Sequence, residues 1–529
     1  MNPTPLPPIA EVLRGKHLLV TGVTGFVGKV WLAHLLAHVP EIGRVTVLVR
    51  RTRTQSALNR MAEIADTSPA FRPVKRAATG EYAAWLDERL HVLEGDVVLP
   101  GCGLDDRALT ELGEVDAIVH LAGLTDFQPD PRKGVPANVD GAVHIGQLAL
   151  RLGARLVHVS TCFVAGMAEG EVPEALERGR APLGQAFDAQ RELHAVRALI
   201  QEHKAAPDRI DAVAAHARAL GWPNLYTFTK GLAEHLLTGM VGLDLTIVRP
   251  SVVECARSFP LRGWNEGLNT SAPIMWFCGT AFRRFPASRD HHFDIVPVDA
   301  VARWISVVLA RHLRGEAAPI YQLSSSDVNP TTYGRITELT ALARRRDARA
   351  SGGSTLDRAV AHLDIATHPA DEQGWFNPDS VEALLTSLRD ALPNDPRASM
   401  PRLLPDPVAE PLSERLRDAR RDLTKQQRKI GQLSRMLELY QPFVHDHHWT
   451  FRSDRIREEV RHLHPDDATT FGDSIEQMCW RSYWLDVQYP GVKRWSFPIL
   501  HNEEVDTDPP SCPPLELGQR VPHRLQGVA

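Results

Sequence analysis

The 529-residue sequence has few cysteines, no long apolar run and no basic excess, and each shortage excludes something. Its six cysteines (Cys102, Cys162, Cys255, Cys278, Cys479, Cys512) are widely spread and form no CxxC pair. Neither a disulfide framework nor a thiolate zinc site is indicated, which fits a reducing compartment. No uncharged apolar run approaches the roughly 20 residues that span a bilayer. The stretch Met1-Asn2-Pro3-Thr4-Pro5-Leu6-Pro7-Pro8 lacks the basic patch and apolar core of a signal peptide. A cytoplasmic protein is expected, with peripheral membrane contact left open and the oligomeric state unspecified. A formal charge of -5 argues against nucleic acid as a partner of the whole chain. The histidines of His291-His292 and His445-Asp446-His447-His448 lack an i, i+4 ligand spacing, so no metal site is expected.

A hydrophobic fraction of 43% and a charged fraction of 24% are ordinary for a globular chain, and the length exceeds what one compact core serves. In the first third, β-branched runs alternate with helical patterns, which predicts an α/β fold with a doubly wound parallel sheet of Rossmann type. Strands are predicted at His17 to Thr21, Arg44 to Val49, Leu90 to Leu93, Ala117 to Leu121, Leu156 to Ser160 and Leu245 to Arg249. Residues 166–222 read as an inserted helical stretch. The expected organisation is one domain over 1–392, a proline-rich linker over 393–411, a smaller helical region over 412–498 and a disordered tail over 499–529. Leu416, Ala419, Leu423, Gln426, Ile430, Leu433 and Leu437 form a short heptad-like seam, better suited to a helix packed on its own protein than to a dimer zipper.

Thr21-Gly22-Val23-Thr24-Gly25-Phe26-Val27-Gly28 joins the first predicted strand to a predicted helix. Such a loop permits a tight turn, close approach of a pyrophosphate and close helix–strand packing, with the helix N-terminus facing the phosphates. A glycine triad alone is also a common turn, but here strand, triad, helix and second strand follow in the required order. The second strand ends in Arg50 and Arg51 with no carboxylate in reach, which favours the 2′-phosphate of NADPH over the ribose of NAD. Asp96 and Val97 after the third strand, Leu121, Ala122 and Gly123 after the fourth, and Asn138, Ser160, Pro250 and Val252 complete the expected cofactor contacts. Asn138 reads equally well as a helix N-cap.

Tyr226-Thr227-Phe228-Thr229-Lys230 places a phenol and an ammonium on one helical face. The ammonium is expected to lower the tyrosine pKa and also to reach the nicotinamide ribose. Alone, a Tyr-x-x-x-Lys pair is common on helices. Beside Val157-His158-Val159-Ser160-Thr161, a strand ending in two hydroxyls, the combination resembles the extended branch of the short-chain dehydrogenase/reductase superfamily. That resemblance implies catalytic roles for Thr161, Tyr226 and Lys230, with Ser160 next to be tested.

A narrower resemblance rests on Gly221-Trp222-Pro223-Asn224-Leu225-Tyr226-Thr227-Phe228-Thr229-Lys230, Val248-Arg249-Pro250-Ser251-Val252-Val253, Pro260-Leu261-Arg262-Gly263-Trp264 and Ile295-Val296-Pro297-Val298-Asp299. These stretches are similar to the fatty acyl-CoA reductases. Leu439-Tyr440-Gln441-Pro442-Phe443, Trp449-Thr450-Phe451 and Trp480-Arg481-Ser482-Tyr483 are similar to the male-sterility region that ends members of that family. Cys162 and Phe163 depart from the pattern. The resemblance implies reduction of a fatty acyl-CoA by NADPH to aldehyde and then alcohol, with release of CoA. Aldehyde-releasing reductases of CoA or carrier-protein thioesters share the first part but not the appended region. A nucleotide-sugar epimerase shares the glycine loop and the Tyr/Lys pair, and a non-catalytic NADPH-binding regulator would ordinarily have lost that pair.

Overall fold

The computed structural model describes residues 5–278, 284–350, 365–368, 378–397, 399 and 406–507. They form two compact units, the first made of Met1–Ala272, His292–Thr331 and Trp449–Ala529, the second of Pro273–His291 and Thr332–His448.

The first unit is built on a seven-stranded parallel sheet. Its first five strands are β1 (His17–Thr21), β2 (Arg44–Val49), β3 (Leu90–Glu94), β4 (Ala117–His120) and β5 (Arg155–Val159). Leu245–Pro250 and Ile320–Leu323 extend it beyond β5, so that the order across the sheet is Ile320–Leu323, Leu245–Pro250, β5, β4, β1, β2, β3. Apart from the edge strand β3, the strands are buried nearly end to end, as apolar runs covered on both faces must be. The order reverses between β1 and β4, and the loops that leave those two strands open the crevice where doubly wound sheets bind ligands.

The helix Phe26–His38 follows β1 and is buried through most of its length. The helix Gly141–Leu152 packs on β4 and β5 and ends at Gly153, whose φ of 64° supplies the left-handed cap. Strand positions agree with the sequence reading to within a residue at most ends. Among the strands not anticipated are Ile320–Leu323, which is only four residues long, and Gly170–Val172, inside the stretch read as helical. The rest of that insertion supplies the helices Ala189–Glu202 and Ala206–Ala219, packed through Leu193, Val196 and Val213 against Trp222 and Phe228.

The second unit holds the helices Tyr333–Ala350, Pro378–Ala391 and Asp406–Gln441, and a short parallel pair of Arg284–Pro286 with Ala366–His368. The helix bearing the heptad-like pattern packs along Pro378–Ala391 of the same chain. Arg420 donates to Arg389 O at 2.7 Å and Gln427 Nε2 donates to Thr386 Oγ1 at 3.0 Å.

The boundaries run differently from a 1–392 domain followed by a separate 412–498 region. From Trp449 onward the chain returns to the sheet unit, where Trp449–Phe451 pairs in parallel with Gly170–Val172 and Arg311 meets Glu459 in a buried ion pair. Residues 406–411, expected as the end of a linker, open the long helix instead. Of the tail, Phe497–His501 forms a short helix, and residues 508–529 lie outside the described residues. Among the described residues no helix is long and apolar enough to cross a membrane.

Candidate active site

Backbone contact dictates two of the three glycines after β1. Gly22 has φ of 80°, and a Cβ there would lie 2.4 Å from Ala122 N and 2.5 Å from the Leu121 carbonyl carbon. Only hydrogen lets the β1 loop cross the end of β4. A Cβ on Gly28 would stand 2.3 Å from Gly22 O, so the third glycine sets how closely the helix approaches its own loop. Gly25 is different: it has extended backbone, and its nearest obstacle is at 3.4 Å. Absence of a side chain there keeps open the space in front of the helix, which is what a pyrophosphate needs. Thr24, Phe26 and Val27 flank that opening. Thr21 closes the base, with its hydroxyl accepting Ala122 N–H at 3.3 Å and sharing a 2.7 Å hydrogen bond with His120 Nδ1.

Arg50 and Arg51 stand exposed beyond β2. Arg51 faces Glu94 at 3.7 Å, with both side chains open to solvent, a pairing that water screens strongly. Asp96 accepts Val98 N–H at 3.2 Å within its own turn, and Val97 lies over Gly141. Leu121, Ala122 and Gly123 leave β4 beside the glycine loop. A Cβ on Gly123 would approach Asn138 Oδ1 at 3.2 Å and Lys230 Nζ at 3.4 Å. Asn138 caps no helix. It sits in the π-helical turn Pro136–Asp140, where it accepts Leu124 N–H at 2.7 Å and donates to Leu124 O and Thr229 Oγ1, both at 3.0 Å. A π turn widens the helix locally and aims a buried amide at the loop leaving β4. Pro250 ends its strand and Val252 starts a short parallel pair with Ile295–Pro297, at the same end of the sheet.

β5 delivers Ser160 and Thr161 to the C-terminal edge of the sheet, both buried. The helix Leu225–Thr238 delivers Tyr226 and Lys230 to the same place. It begins where Asn224 accepts Thr227 N–H at 2.9 Å, an N-cap that sets the phase of both side chains. The Thr161 hydroxyl lies close enough to Tyr226 to act on its phenol. Lys230 Nζ donates to Val159 O at 2.8 Å, immediately before the two hydroxyls. Ser160 Oγ is buried and makes no hydrogen bond among the described residues.

Electrostatics here run against the sequence expectation. Burial pushes the Tyr226 phenol up to about 12, and the neighbouring Thr161 hydroxyl opposes that shift. Burial likewise holds Lys230 down at about 8, with Glu234 opposing. At neutral pH Tyr226 is therefore a proton donor, which suits reduction of a carbonyl.

Several residues of the site have no counterpart in the sequence reading. His120 and His158 end adjacent strands, with ring centroids 5.2 Å apart. Burial, reinforced by Lys230, keeps His120 neutral with a pKa of about 3, and His158 likewise lies far below the usual histidine range. Their signal was a histidine in an otherwise apolar strand. Arg249 pairs with Glu234 at 2.5 Å behind Lys230, both side chains almost fully buried. Trp264 covers Phe26 with ring centroids at 5.3 Å, and Lys29 reaches Glu266 at 2.5 Å. Trp264 is thus packed against the nucleotide loop.

A parallel sheet with its glycine loop at the strand-order reversal, and two hydroxyl donors beside a buried lysine, define a class: a Rossmann-fold reductase of the short-chain dehydrogenase/reductase kind that uses a nicotinamide nucleotide. The family described as Male sterility protein matches residues 20–305. A probable fatty acyl-CoA reductase 5 of Arabidopsis thaliana is 29% identical over 348 residues, covering 62% of this chain and 70% of that protein. Fatty acyl-CoA reductase 8 of the same plant is 25% identical over 506 residues, covering 91% of this chain and 97% of its own length. The alcohol-forming fatty acyl-CoA reductase of Simmondsia chinensis is 28% identical over 352 residues, covering 63% and 71%. The chain belongs to this male sterility, or fatty acyl-CoA reductase, family.

Proposed function

We propose that this protein reduces a fatty acyl-CoA thioester to the fatty alcohol, releasing CoA, with NADPH as reductant and an aldehyde formed on the way. The observation that supports it most is the convergence of two hydroxyl donors, Thr161 and Tyr226, at the end of β5 with Lys230 buried behind them. Two fixed donors on one carbonyl oxygen favour the charge that develops there when hydride adds to the carbon. The names of the relatives supply the substrate class and, for one of them, the alcohol product.

Bound NADPH would supply the hydride for each of the two reductions. The space that Gly25 leaves open in front of the helix Phe26–His38 fits a pyrophosphate, and Arg50 and Arg51 suit the 2′-phosphate. Asn138, through Leu124, shapes the loop along which the cofactor would run. In the first reduction Thr161 and Tyr226 donate to the thioester carbonyl, and the tetrahedral oxyanion collapses with loss of the CoA thiolate. In the second they hold the aldehyde oxygen, and Tyr226 passes its proton to the alkoxide. Lys230, charged below about pH 8, offsets the phenolate left behind.

The test is NADPH oxidation against a panel of acyl-CoAs of graded chain length, with the products separated and identified. Two NADPH per thioester and an alcohol are expected. One NADPH and free aldehyde would reassign the protein as an aldehyde-releasing thioester reductase. NADPH bound tightly but oxidised with no thioester would sink both.

A further inference from the structure

The turn that follows Thr161 is held by two indole N–H groups from widely separated parts of the chain. Cys162–Ala165 is a single 3-10 turn capped by Thr161, whose Oγ1 accepts Phe163 N–H at 3.3 Å. Trp222 Nε1 donates to Val164 O at 2.9 Å, from the segment that leads into the Tyr226 helix. Trp449 Nε1 donates to Gly166 O at 3.1 Å, from 283 residues further along. The Phe163 ring is met edge-on by Trp449 and by Phe451, at centroid distances of 5.7 and 5.2 Å.

The C-terminal strand that brings these two aromatics is itself firmly seated. Trp449–Phe451 pairs with Gly170–Val172, Ser324 Oγ donates to Phe451 O at 2.8 Å, and Phe451 N–H donates to Ser326 Oγ at 2.9 Å. Ser324 and Ser326 directly follow the last strand of the main sheet. The rigid sheet therefore reaches the turn by two routes, once through β5 and once through the C-terminal strand.

We propose that Trp449 is a positioning residue for Thr161, so that the appended C-terminal region completes the reductive site rather than merely covering it. This rests on the role given to Thr161 above. Thr161 Oγ1 must accept Phe163 N–H, meet Tyr226 and still donate to a substrate carbonyl. Its direction therefore follows the backbone of Phe163, which Trp449 pins at both ends, by the ring contact and through Gly166 O. Gly166 cannot take up that role with a side chain of its own: its φ is 62°, and a Cβ there would lie 2.3 Å from Gly221 O. Removing the indole N–H frees the turn at one carbonyl and lets the hydroxyl drift by a fraction of an ångström. Displacements of that size slow reactions that depend on alignment.

The experiment is single-turnover oxidation of NADPH by stopped flow, with the full-length chain and a saturating acyl-CoA. Trp449→Phe keeps the ring and loses the donor. Its rate constant for hydride transfer is expected to fall roughly 5- to 10-fold, the worth of one hydrogen bond, with amplitude and NADPH affinity unchanged. Thr161→Ala/Trp449→Phe should be no slower than Thr161→Ala alone, because the tryptophan acts through that hydroxyl. An unchanged rate constant in Trp449→Phe, or slowing that multiplies with Thr161→Ala, overturns the proposal. So does a smaller amplitude at the wild-type rate constant, which marks lost folded protein. Should Trp449→Phe fail to fold, Phe451→Leu loosens the same ring contact. It should then slow transfer by about twofold with the same non-additivity, and additive slowing overturns the proposal. If Thr161→Ala itself transfers hydride at the wild-type rate, the reading of Thr161 fails first; if only the Trp449 variant does, that reading stands.

Discussion

Lys230 Nζ donates to Val159 O at 2.8 Å, which ties the ammonium of one helix to the strand end that presents Ser160 and Thr161. This bond fixes the lysine where burial costs it most, and it puts acid, hydroxyl pair and positive charge within one small volume.

That geometry makes Tyr226→Phe the sharpest single substitution. Loss of the phenolic proton should lower turnover by about 10²-fold or more, the usual scale of general acid catalysis, while NADPH affinity stays near wild type. Thr161→Ala should lower turnover less, since Tyr226 remains as a donor. Steady-state rates with an acyl-CoA, and NADPH fluorescence titration, read both. Near-normal turnover in Tyr226→Phe would remove the assignment.

Activity and stability should move in opposite directions above pH 8. Lys230 gains its proton at about 8 in the folded chain, against an ordinary value of 10.5, because burial disfavours the charge. Between those values the unfolded chain binds more protons, so the lysine's contribution to stability rises with pH across that window. Below it the buried charge costs up to about 3 kcal/mol. Turnover, which needs the charge, should fall over the same range. Denaturant midpoints and kcat/KM measured from pH 7 to pH 10 test this, with Lys230→Met expected to flatten the stability trend; an unchanged trend in that variant would refute the cause.

The glycines after β1 should separate into two kinds. Gly28→Ala drives a methyl into Gly22 O and should cost about 1–3 kcal/mol, the range for overpacking, along with nucleotide binding. Gly25→Ala meets nothing closer than 3.4 Å and should fold with a near-normal Tm, yet bind NADPH more weakly. Equal thermal stability in the two variants would contradict the distinction.

Arg50 and Arg51 should decide between the two nicotinamide nucleotides. Replacing both with alanine removes charge-assisted bonds to a 2′-phosphate and should reduce the preference for NADPH over NADH by roughly 10- to 100-fold. The ratio of kcat/KM for the two cofactors measures it. A preference that survives the double substitution would place the 2′-phosphate elsewhere.

Glu234→Gln should destabilise the protein and also lower the Lys230 pKa further, since Glu234 opposes that shift. It leaves Arg249 buried without a counter-charge, which typically costs about 3–5 kcal/mol. Chemical denaturation reads the loss directly, and a change under 1 kcal/mol would mean that water reaches the arginine.

The sequence by itself determined the sheet and most of the site's inventory. β1 to β5 were legible because each is a short β-branched run bounded by turn residues, and such runs become strands whatever lies around them. The glycine loop was legible from its order between strand and helix, and Tyr226 with Lys230 from the helical repeat that puts them on one face. Tertiary structure decided what those residues are chemically. The direction of the Tyr226 shift depends on how completely both partners leave water, which no spacing records. Asn138 became a buried linchpin of the loop after β4, instead of a cap, because of a π turn. Trp449 came to rest against Phe163 and Gly166 through strand pairing across most of the chain, and contacts at that separation leave no period in the sequence to be read.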